Sequence, residues 1–457
     1  MTRFRMLFAL LLTWPLVALA DDHVDPALVG SLWLTNVKVV DVESGRILEA
    51  RDVRIQDGRI AEIVETAPRE PMEGVTSLDG NGGWLIPALA EMHAHVPSAS
   101  QGNQRIQDVL SLFLAQGVTT IRGMLGEPAH LELRDRLAAG EIQGPRLFTS
   151  GPSFNGNTVS SPAQGAERVR EQAEAGYDFL KIHPGLTREE FVAVAEAAQA
   201  LDIPLAGHVS FETGLETALA YEQATIDHLD AYAEAMVPPG DALHGQSPQF
   251  FGLNLADGMD PAAARALAQK TAAAGVWQVP TQSLFETTTG PLSLEALGSR
   301  PGMDVLSNDL LSNWEGAVTN IRGQMTEAQR ARFLDARRTL LVEMQRAGVG
   351  LLLGSDAPQI MNVPGYSTHQ ELVYLVEAGL TPLEALQTGT LNVARFFGES
   401  DRGQVAPGMV ADLVLLDANP LEDIGNTTRI SGVFQGGDWL DRASLDQLVN
   451  DVRSRKL

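Results

Sequence analysis

Residues 85–95 read Leu85-Ile86-Pro87-Ala88-Leu89-Ala90-Glu91-Met92-His93-Ala94-His95, an apolar run that ends in two histidines spaced two positions apart. Residues two apart on a β-strand point to the same side, so both imidazoles face one way at the carboxyl end of the strand. Two neutral imidazoles on rigid backbone supply half of a transition-metal site. Because histidine pairs also occur without a metal, the rest of the chain decides between these interpretations.

The composition suits a large enzyme-like domain. The chain has 457 residues, of which 44% are hydrophobic, enough for a (β/α)8 barrel with a smaller appendage. A formal net charge of -25 disfavours nucleic acid and anionic membrane surfaces as partners, whereas a small-molecule substrate is compatible with it. The absence of cysteine excludes disulfides and thiolate metal ligands. A homo-oligomer is compatible with the sequence.

The first twenty residues form a separate segment. Arg3 and Arg5 precede an apolar stretch from Met6 to Val17, and Ala18-Leu19-Ala20 has the small-x-small pattern of a cleavage site. These features predict a secretory signal peptide over residues 1–20, and therefore a secreted or periplasmic protein that is free of the membrane after cleavage. An uncleaved N-terminal anchor is the alternative.

Short strand patterns flank the centre of the chain on both sides. Residues 31–64 alternate apolar stretches with turns such as Gln56-Asp57-Gly58, and strand-like stretches return at 403–416 and 430–439. We expect residues 21–86 and 402–457 to join into one small β-sandwich domain built from both chain ends.

Between these segments, helix and strand patterns alternate over residues 87–401. The number of units favours a closed (β/α)8 TIM barrel over an open doubly wound sheet, which would have a G-x-G-x-x-G after its first strand. The long connection at 281–325 contains Phe285, Trp314 and several glycines and prolines, and we predict that it is a lid. Three capping-box pairs mark helix starts: Thr187 with Glu190, Thr326 with Gln329, and Thr381 with Glu384.

Potential metal ligands recur at the carboxyl ends of the predicted barrel strands, where barrels carry their functional groups. They are His93, His95, Lys181, His208, His228 and Asp356. Each alone has an ordinary explanation, such as a hydrogen-bonded core histidine, a helix cap or a lysine reaching solvent. Because all of them fall at equivalent positions, in a chain with only nine histidines, a metal-binding site is favoured.

The chain resembles the amidohydrolase superfamily, in particular its imidazolonepropionase-like and prolidase-like members with a two-metal centre. The resemblance covers essentially the whole chain after residue 20. The matching stretches are Glu91-Met92-His93-Ala94-His95, Tyr177-Asp178-Phe179-Leu180-Lys181-Ile182-His183, Ala206-Gly207-His208, Ile226-Asp227-His228, Leu353-Gly354-Ser355-Asp356, residues 377–386 and residues 408–414.

This resemblance implies a ligand set and a reaction. One divalent ion is expected on His93, His95 and Asp356, and a second on His208 and His228. Lys181 is expected to bridge them as an N-carboxylated lysine, a carbamate formed with CO2. Zinc is the expected metal, and manganese, cobalt and iron are the alternatives.

The implied activity is hydrolysis of an amide C–N bond in a dipeptide, an N-acyl amino acid or a cyclic amide. A hydroxide shared by the two ions is the implied nucleophile, because the ions lower the pKa of water. Asp356 is the implied proton shuttle to the leaving nitrogen.

Some positions depart from the family pattern or lack a definite role. Ala88 and Glu91 stand where the family usually has glycine and aspartate, and we expect Glu91 to support the ligands. His183, Tyr232 and His369 are candidate substrate contacts, each with a structural alternative.

Two other functions compete. A mononuclear metal-dependent deaminase of this fold typically has a glutamate three residues after the histidine of the fifth strand, whereas this chain has Phe211 there and Glu212 next. A catalytically inactive structural relative would be expected to have lost ligands, and this chain keeps the whole set.

Overall fold

The computed structural model describes residues 31–68 and 75–457. The predicted signal peptide lies outside the described residues. Within them, no helix combines the length and the apolar character that crossing a membrane requires.

Strands and helices alternate through the central region. The strands are β1 (Ser31–Val40), β2 (Ile47–Gln56), β3 (Arg59–Glu65), β4 (Thr76–Asp79), β5 (Trp84–Pro87), β6 (Leu89–Ala94), β7 (Val118–Gly123), β8 (Arg146–Thr149), β9 (Leu180–Ile182), β10 (Leu205–Gly207), β11 (Thr225–Asp227), β12 (Trp277–Val279), β13 (Leu413–Leu416), β14 (Ile430–Gln435) and β15 (Asp438–Asp441). The helices are α1 (Asn103–Ala115), α2 (Ala129–Ala138), α3 (Pro162–Ala175), α4 (Arg188–Ala200), α5 (Gly214–Ala220), α6 (Tyr232–Ala235), α7 (Ala264–Ala274), α8 (Gln282–Thr289), α9 (Leu294–Gly298), α10 (Asn308–Gly323), α11 (Glu327–Ala347), α12 (Tyr366–Ala378), α13 (Pro382–Thr388), α14 (Leu391–Phe397) and α15 (Arg442–Arg455).

The two chain ends meet in one sheet. Its eight strands follow the order β15-β14-β13-β5-β1-β2-β3, with β4 also paired to β1. The ends join where β13 pairs antiparallel with β5, which sets Leu415 opposite Leu85. Apolar side chains of β1, β2, β5 and β13 share a core cluster. The strand pairings thus form one continuous hydrogen-bonded sheet of both chain ends, and they do not show the expected β-sandwich.

The central region contains a curled parallel sheet flanked by helices. Strands β6-β7-β8 and β9-β10-β11-β12 form two parallel ladders. Parallel bridges connect Ser150 to Phe179, Gln278 to Leu351, and Ala94 to Ala357. The sequence pattern predicts a last barrel strand at 348–356. This segment joins both neighbouring strands through isolated bridges and backbone hydrogen bonds, such as Gln278 N to Gly350 O at 2.9 Å and Met92 N to Leu353 O at 2.7 Å. Since all these pairings are parallel, the carboxyl ends of the strands lie on one side.

The predicted run through residues 85–95 divides at Ala88. Its first part is β5 in the sheet of the chain ends, and its second part is β6 in the parallel sheet. This break directs the two histidines toward the central region.

The predicted helix starts agree with the structure, whereas the 281–325 segment differs from its prediction. All three capping boxes are present, at the starts of α4, α11 and α13. The segment predicted as a lid instead forms α8, α9 and α10, and every residue of α8 is buried. This first part of the segment is therefore core and not a mobile cover.

Candidate metal centre

Three predicted ligands of one ion converge where β6 ends. Asp356 Oδ1 lies 2.7 Å from His95 Nε2 and 3.4 Å from His93 Nε2. One ligand atom of each residue lies within 4.8 Å of the others. Two imidazoles and a carboxylate at this spacing can hold a divalent transition-metal ion.

His208 and His228, the predicted ligands of the second ion, lie beside this group. Their ring centroids are 4.6 Å apart, and His228 is 4.5 Å from His93. His208 Nδ1 lies 2.8 Å from Asp230 Oδ2, and His228 Nδ1 lies 2.8 Å from Thr281 Oγ1. Metal-binding histidines usually have one ring nitrogen oriented in this way, which leaves the other for the ion.

Lys181 extends from β9 into the same group and is fully buried. Its Nζ has no hydrogen-bond partner among the described residues. Burial lowers its pKa to about 8, against the opposing charges of Asp227 and Asp356. A buried amine without a partner is costly as an ammonium. Conversion to a carbamate would remove that charge and provide oxygen ligands, so the residues present fit the predicted metal centre.

Burial keeps the histidines neutral. Desolvation, with a further contribution from the charge of Lys181, lowers the pKa of His208 to about 3 and that of His183 to about 2. Desolvation also lowers the pKa of His93 and His228 well below the usual value. Neutral imidazole is the form that binds metal, so the site favours the required protonation state.

Glu91 organises the loop that carries Asp356. Its carboxyl accepts hydrogen bonds from Ser355 N at 2.6 Å, Ser355 Oγ at 2.9 Å and Thr368 Oγ1 at 2.7 Å. Burial raises its pKa to about 8 despite these bonds. Glu91 therefore ties β6 to the Asp356 loop and to α12.

Two further residues were missed by the sequence reasoning. Asp227 Oδ2 lies 2.9 Å from His93 Nδ1, and Arg122 Nη2 is 3.4 Å from Asp227 Oδ1. Arg122 Nε also donates to Met92 O at 2.8 Å. The sequence does contain a signal for Asp227 and Arg122, because both are ionisable residues inside apolar strands. Such residues are rarely buried without a partner.

The backbone is strained at this centre. His228, Asp356 and Thr281 have φ values of 63°, 65° and 48°, in the left-handed region that non-glycine residues avoid. Such conformations cost about 1–3 kcal/mol each and concentrate at functional sites.

Of the candidate substrate contacts, only His183 lies at the centre. Its ring stacks on His208 with centroids 4.9 Å apart. The buried Tyr232 hydroxyl lies 2.7 Å from Thr271 Oγ1 on α7.

His369 lies elsewhere, with Nε2 at 2.9 Å from Gln116 O and Nδ1 at 3.0 Å from Thr427 Oγ1. The polar atoms of Tyr232 and His369 thus bond within the fold, and their positions do not support substrate contact.

An aromatic side chain missed by the sequence reasoning covers the histidines. The Phe251 ring centroid is 5.1 Å from that of His228 and 6.0 Å from that of His208. Phe250 and Phe251 have φ values of 40° and 58°. No motif surrounds this pair, so the sequence carried no signal for its position.

Comparisons with known proteins agree with this architecture. The amidohydrolase family matches residues 84–440. An adenine deaminase of Nitratidesulfovibrio vulgaris is 26% identical over 402 residues, which cover 84% of this chain and 54% of the deaminase. An ochratoxinase of Aspergillus niger is 38% identical over 115 residues, 24% of this chain and 23% of the ochratoxinase. The chain thus spans about half the length of the first relative and about a quarter of the second.

A solved structure shares the fold. A Xaa-Pro dipeptidase with methionine bound in its active site superposes with a TM-score of 0.66 at 19% identity, covering 90% of this chain and 100% of the dipeptidase. The family match spans most of the chain and includes every residue of the histidine, lysine and aspartate cluster. The chain belongs to the amidohydrolase family.

Proposed function

We propose that this protein is a metal-dependent hydrolase that cleaves an amide C–N bond in a small molecule, with its site at the mouth of a closed (β/α)8 barrel. The observation that carries the proposal is the buried Lys181 Nζ, which lacks a hydrogen-bond partner among the described residues. It extends toward the side of the sheet where His93, His95 and Asp356 converge within 4.8 Å. The parallel bridges through residues 351–357 support closure of the barrel.

The proposed centre assigns a task to each residue. One divalent ion would be held by His93, His95 and Asp356, and the second by His208 and His228. A carboxylated Lys181 would bind both ions. When bound, two zinc ions would lower the pKa of a water molecule and polarise the scissile carbonyl. Asp356 accepts the proton of the attacking water and delivers it to the leaving nitrogen.

The surrounding residues hold these groups in position. Asp230 and Thr281 orient the rings of His208 and His228 through their Nδ1 atoms. Phe251 lies over these rings and excludes water from one side of the site. Candidate substrates are dipeptides, N-acyl amino acids and cyclic amides, and the similarity to a dipeptidase fold supports the first of these.

A Lys181→Ala variant tests the proposal. We expect the wild type to hydrolyse members of a dipeptide and N-acyl amino acid panel, and the variant to lose at least about 100-fold in kcat, since a bridging ligand contributes more than the residues around it. Short carboxylic acids should restore part of this activity by occupying the position of the carbamate. Unchanged turnover in the variant would refute the bridging role.

A mononuclear deaminase is the second candidate, favoured by the similarity to an adenine deaminase. Phe211 in place of the typical glutamate opposes it. Ammonia release from adenine, measured together with the metal content, distinguishes the two: a deaminase would release ammonia with about one ion per chain.

We also propose export, on the basis of the signal-peptide pattern over residues 1–20. Expression of the full chain in a bacterium, followed by N-terminal sequencing of the periplasmic fraction, should identify a mature protein that begins after Ala20. Retention of an intact N-terminus in the cytoplasm would contradict export.

A further inference from the structure

A cavity opens beside His95, the most accessible of the predicted ligand histidines. The exposed fraction of its side chain is 23%, compared with 10% for His208 and 1% for His93. The cavity has a volume of about 350 Å³. Its polar lining consists of His95, Ser98, Gln101, Arg105, Glu127 and His130. A substrate that reaches the predicted metal centre from this side has to pass these residues.

Arg105 is the cation among the residues that line this cavity, and its guanidinium has no partner in the described part of the chain. Within residues 31–68 and 75–457, its side chain makes no hydrogen bond and no ion pair within 4.0 Å. Asp108 is one turn away and acts on Arg105 through its charge. However, the Asp108 carboxylate is bound by Arg455 at 2.6 Å and by Gln104 at 2.9 Å.

The local structure does not stabilise a positive charge at this position. Arg105 lies in the first turn of α1, which contains no acidic residue and has Gly102 as an N-cap without a side-chain hydrogen bond. A helix N-terminus carries partial positive charge and disfavours a cation. Arg105 is half-buried, so water can accept hydrogen bonds from only some of its guanidinium N–H groups.

The other ionisable residues of the cavity are already engaged. Glu127 accepts hydrogen bonds from Ala99 N at 2.6 Å and Ser98 Oγ at 2.9 Å, and so shapes the turn before α1. His130 Nε2 lies 3.1 Å from Pro97 O. Among the residues that line the cavity, Arg105 is therefore the charged donor left for a ligand.

We propose that Arg105 binds a carboxylate of the substrate, so that the enzyme acts on amides whose leaving or acyl part carries a free carboxylate, such as N-acyl amino acids and dipeptides. A guanidinium matches a carboxylate with two parallel hydrogen bonds. This assignment rests on the proposed amide hydrolysis and narrows it, because neutral cyclic amides lack the group that Arg105 recognises.

Matched substrates with and without the carboxylate test this assignment. We expect wild type to hydrolyse N-acetylphenylalanine and other N-acyl amino acids with a kcat/KM about 10- to 100-fold above that of analogues in which hydrogen replaces the carboxylate, the range for a charged hydrogen bond. Arg105→Met should remove this preference through a higher KM for the carboxylates, with little change for the neutral analogues. Arg105→Lys should retain part of it.

A control variant and a binding measurement distinguish a failure of the Arg105 assignment from a failure of the proposed amide hydrolysis. Arg170→Met removes an exposed arginine of α3 whose partner is Glu167 and should leave the preference intact. Calorimetric titration with the product phenylalanine should show about 10-fold weaker binding to Arg105→Met. Preference and binding that persist in Arg105→Met would overturn the role of Arg105 while leaving amide hydrolysis standing. Hydrolysis of neither substrate class by the zinc-loaded wild type would overturn both.

Discussion

A lysine that is fully buried is almost always paired, yet Lys181 Nζ has no hydrogen-bond partner in the described part of the chain. Its surroundings show how closely the fold fits this side chain. Gly207 has a φ of +118°, and a Cβ there would meet Ile182 O at 2.5 Å and Lys181 Cδ at 2.8 Å. The glycine before His208 is thus required by both the backbone and the lysine.

Gly207→Ala should therefore affect the metal centre. We expect the added methyl group to displace the Lys181 chain, to lower the free energy of unfolding by about 2 kcal/mol and to reduce the bound metal. Denaturant unfolding and metal analysis measure the two effects.

Gly176→Ala is the matched control. Gly176 has a φ of +83° and nothing within 4 Å of its Cβ position. It should cost about 1 kcal/mol from backbone strain alone and leave the metal content unchanged. Equal metal content in the two variants would contradict the proposed role of Gly207.

At this scale, the sequence predicted the histidine, lysine and aspartate side chains that the structure brings together, and Glu91 behind them. It did not predict the other residues that contact them. Histidine, lysine and aspartate at strand ends form a pattern that a one-dimensional chain displays. Asp230 and Phe251 depend on how loops return over the strand ends, which no local spacing encodes. Tyr232 follows β11 closely, but its hydroxyl bonds to α7, because α6 begins at that residue and turns its side chain away.

Among the elements, α11 has a direct connection to the centre through Arg337. This buried guanidinium donates to His228 O at 2.7 Å, Pro280 O at 2.9 Å and Gln282 Oε1 at 3.1 Å. It thereby fixes the left-handed turn at His228 and the start of α8.

Arg337→Lys should weaken metal binding without abolishing the fold. An ammonium cannot reach three acceptors that a planar fork reaches, so the His228 turn loses its support. We expect metal affinity to fall about 10- to 100-fold, as when a residue behind a metal ligand is lost. Competition with a chelator measures it. Arg346→Lys, on the same helix with a side chain that is 66% exposed, should bind metal as wild type does; a similar loss there would argue for a general effect of helix α11.

Helix α12 supplies a pH-dependent contribution to stability through His369. Burial lowers its pKa to about 4, below the usual value of about 6.5 in an unfolded chain. Between these values the unfolded state binds more protons than the native state. The contribution of His369 to the free energy of unfolding is therefore fully present above pH 6.5 and is lost as the pH falls from 6.5 to 4. The contribution is about 3 kcal/mol.

His369→Gln should flatten this dependence. The free energy of unfolding of the metal-free protein, measured from pH 4 to 7, should change with pH less steeply in the variant by about the amount that His369 contributes. An identical slope in wild type and variant would show that His369 does not carry this term.

The regular elements were predictable where local chemistry sets them. Capping boxes and strand alternation depend on residues a few positions apart, and the three predicted boxes are present. The pairing of β13 with β5 joins residues more than 300 positions apart, so no local pattern reveals which strands of the two chain ends become neighbours. Residues 282–289 form a buried helix and not an open lid, and this burial likewise depends on contacts with distant parts of the chain.

For the whole molecule, the expected family is confirmed by a match that runs from β5 to β15. Membership follows from motifs distributed between residues 91 and 414, which is why the sequence alone was sufficient for it. The substrate and the export of the protein depend on residues outside those motifs.

The metal content of the purified protein tests the central claim most directly. Elemental analysis of wild type prepared with zinc and bicarbonate should give about two ions per chain, and Lys181→Ala should give clearly fewer. One ion per chain in wild type, or the same content in both proteins, would contradict a lysine-bridged pair of ions.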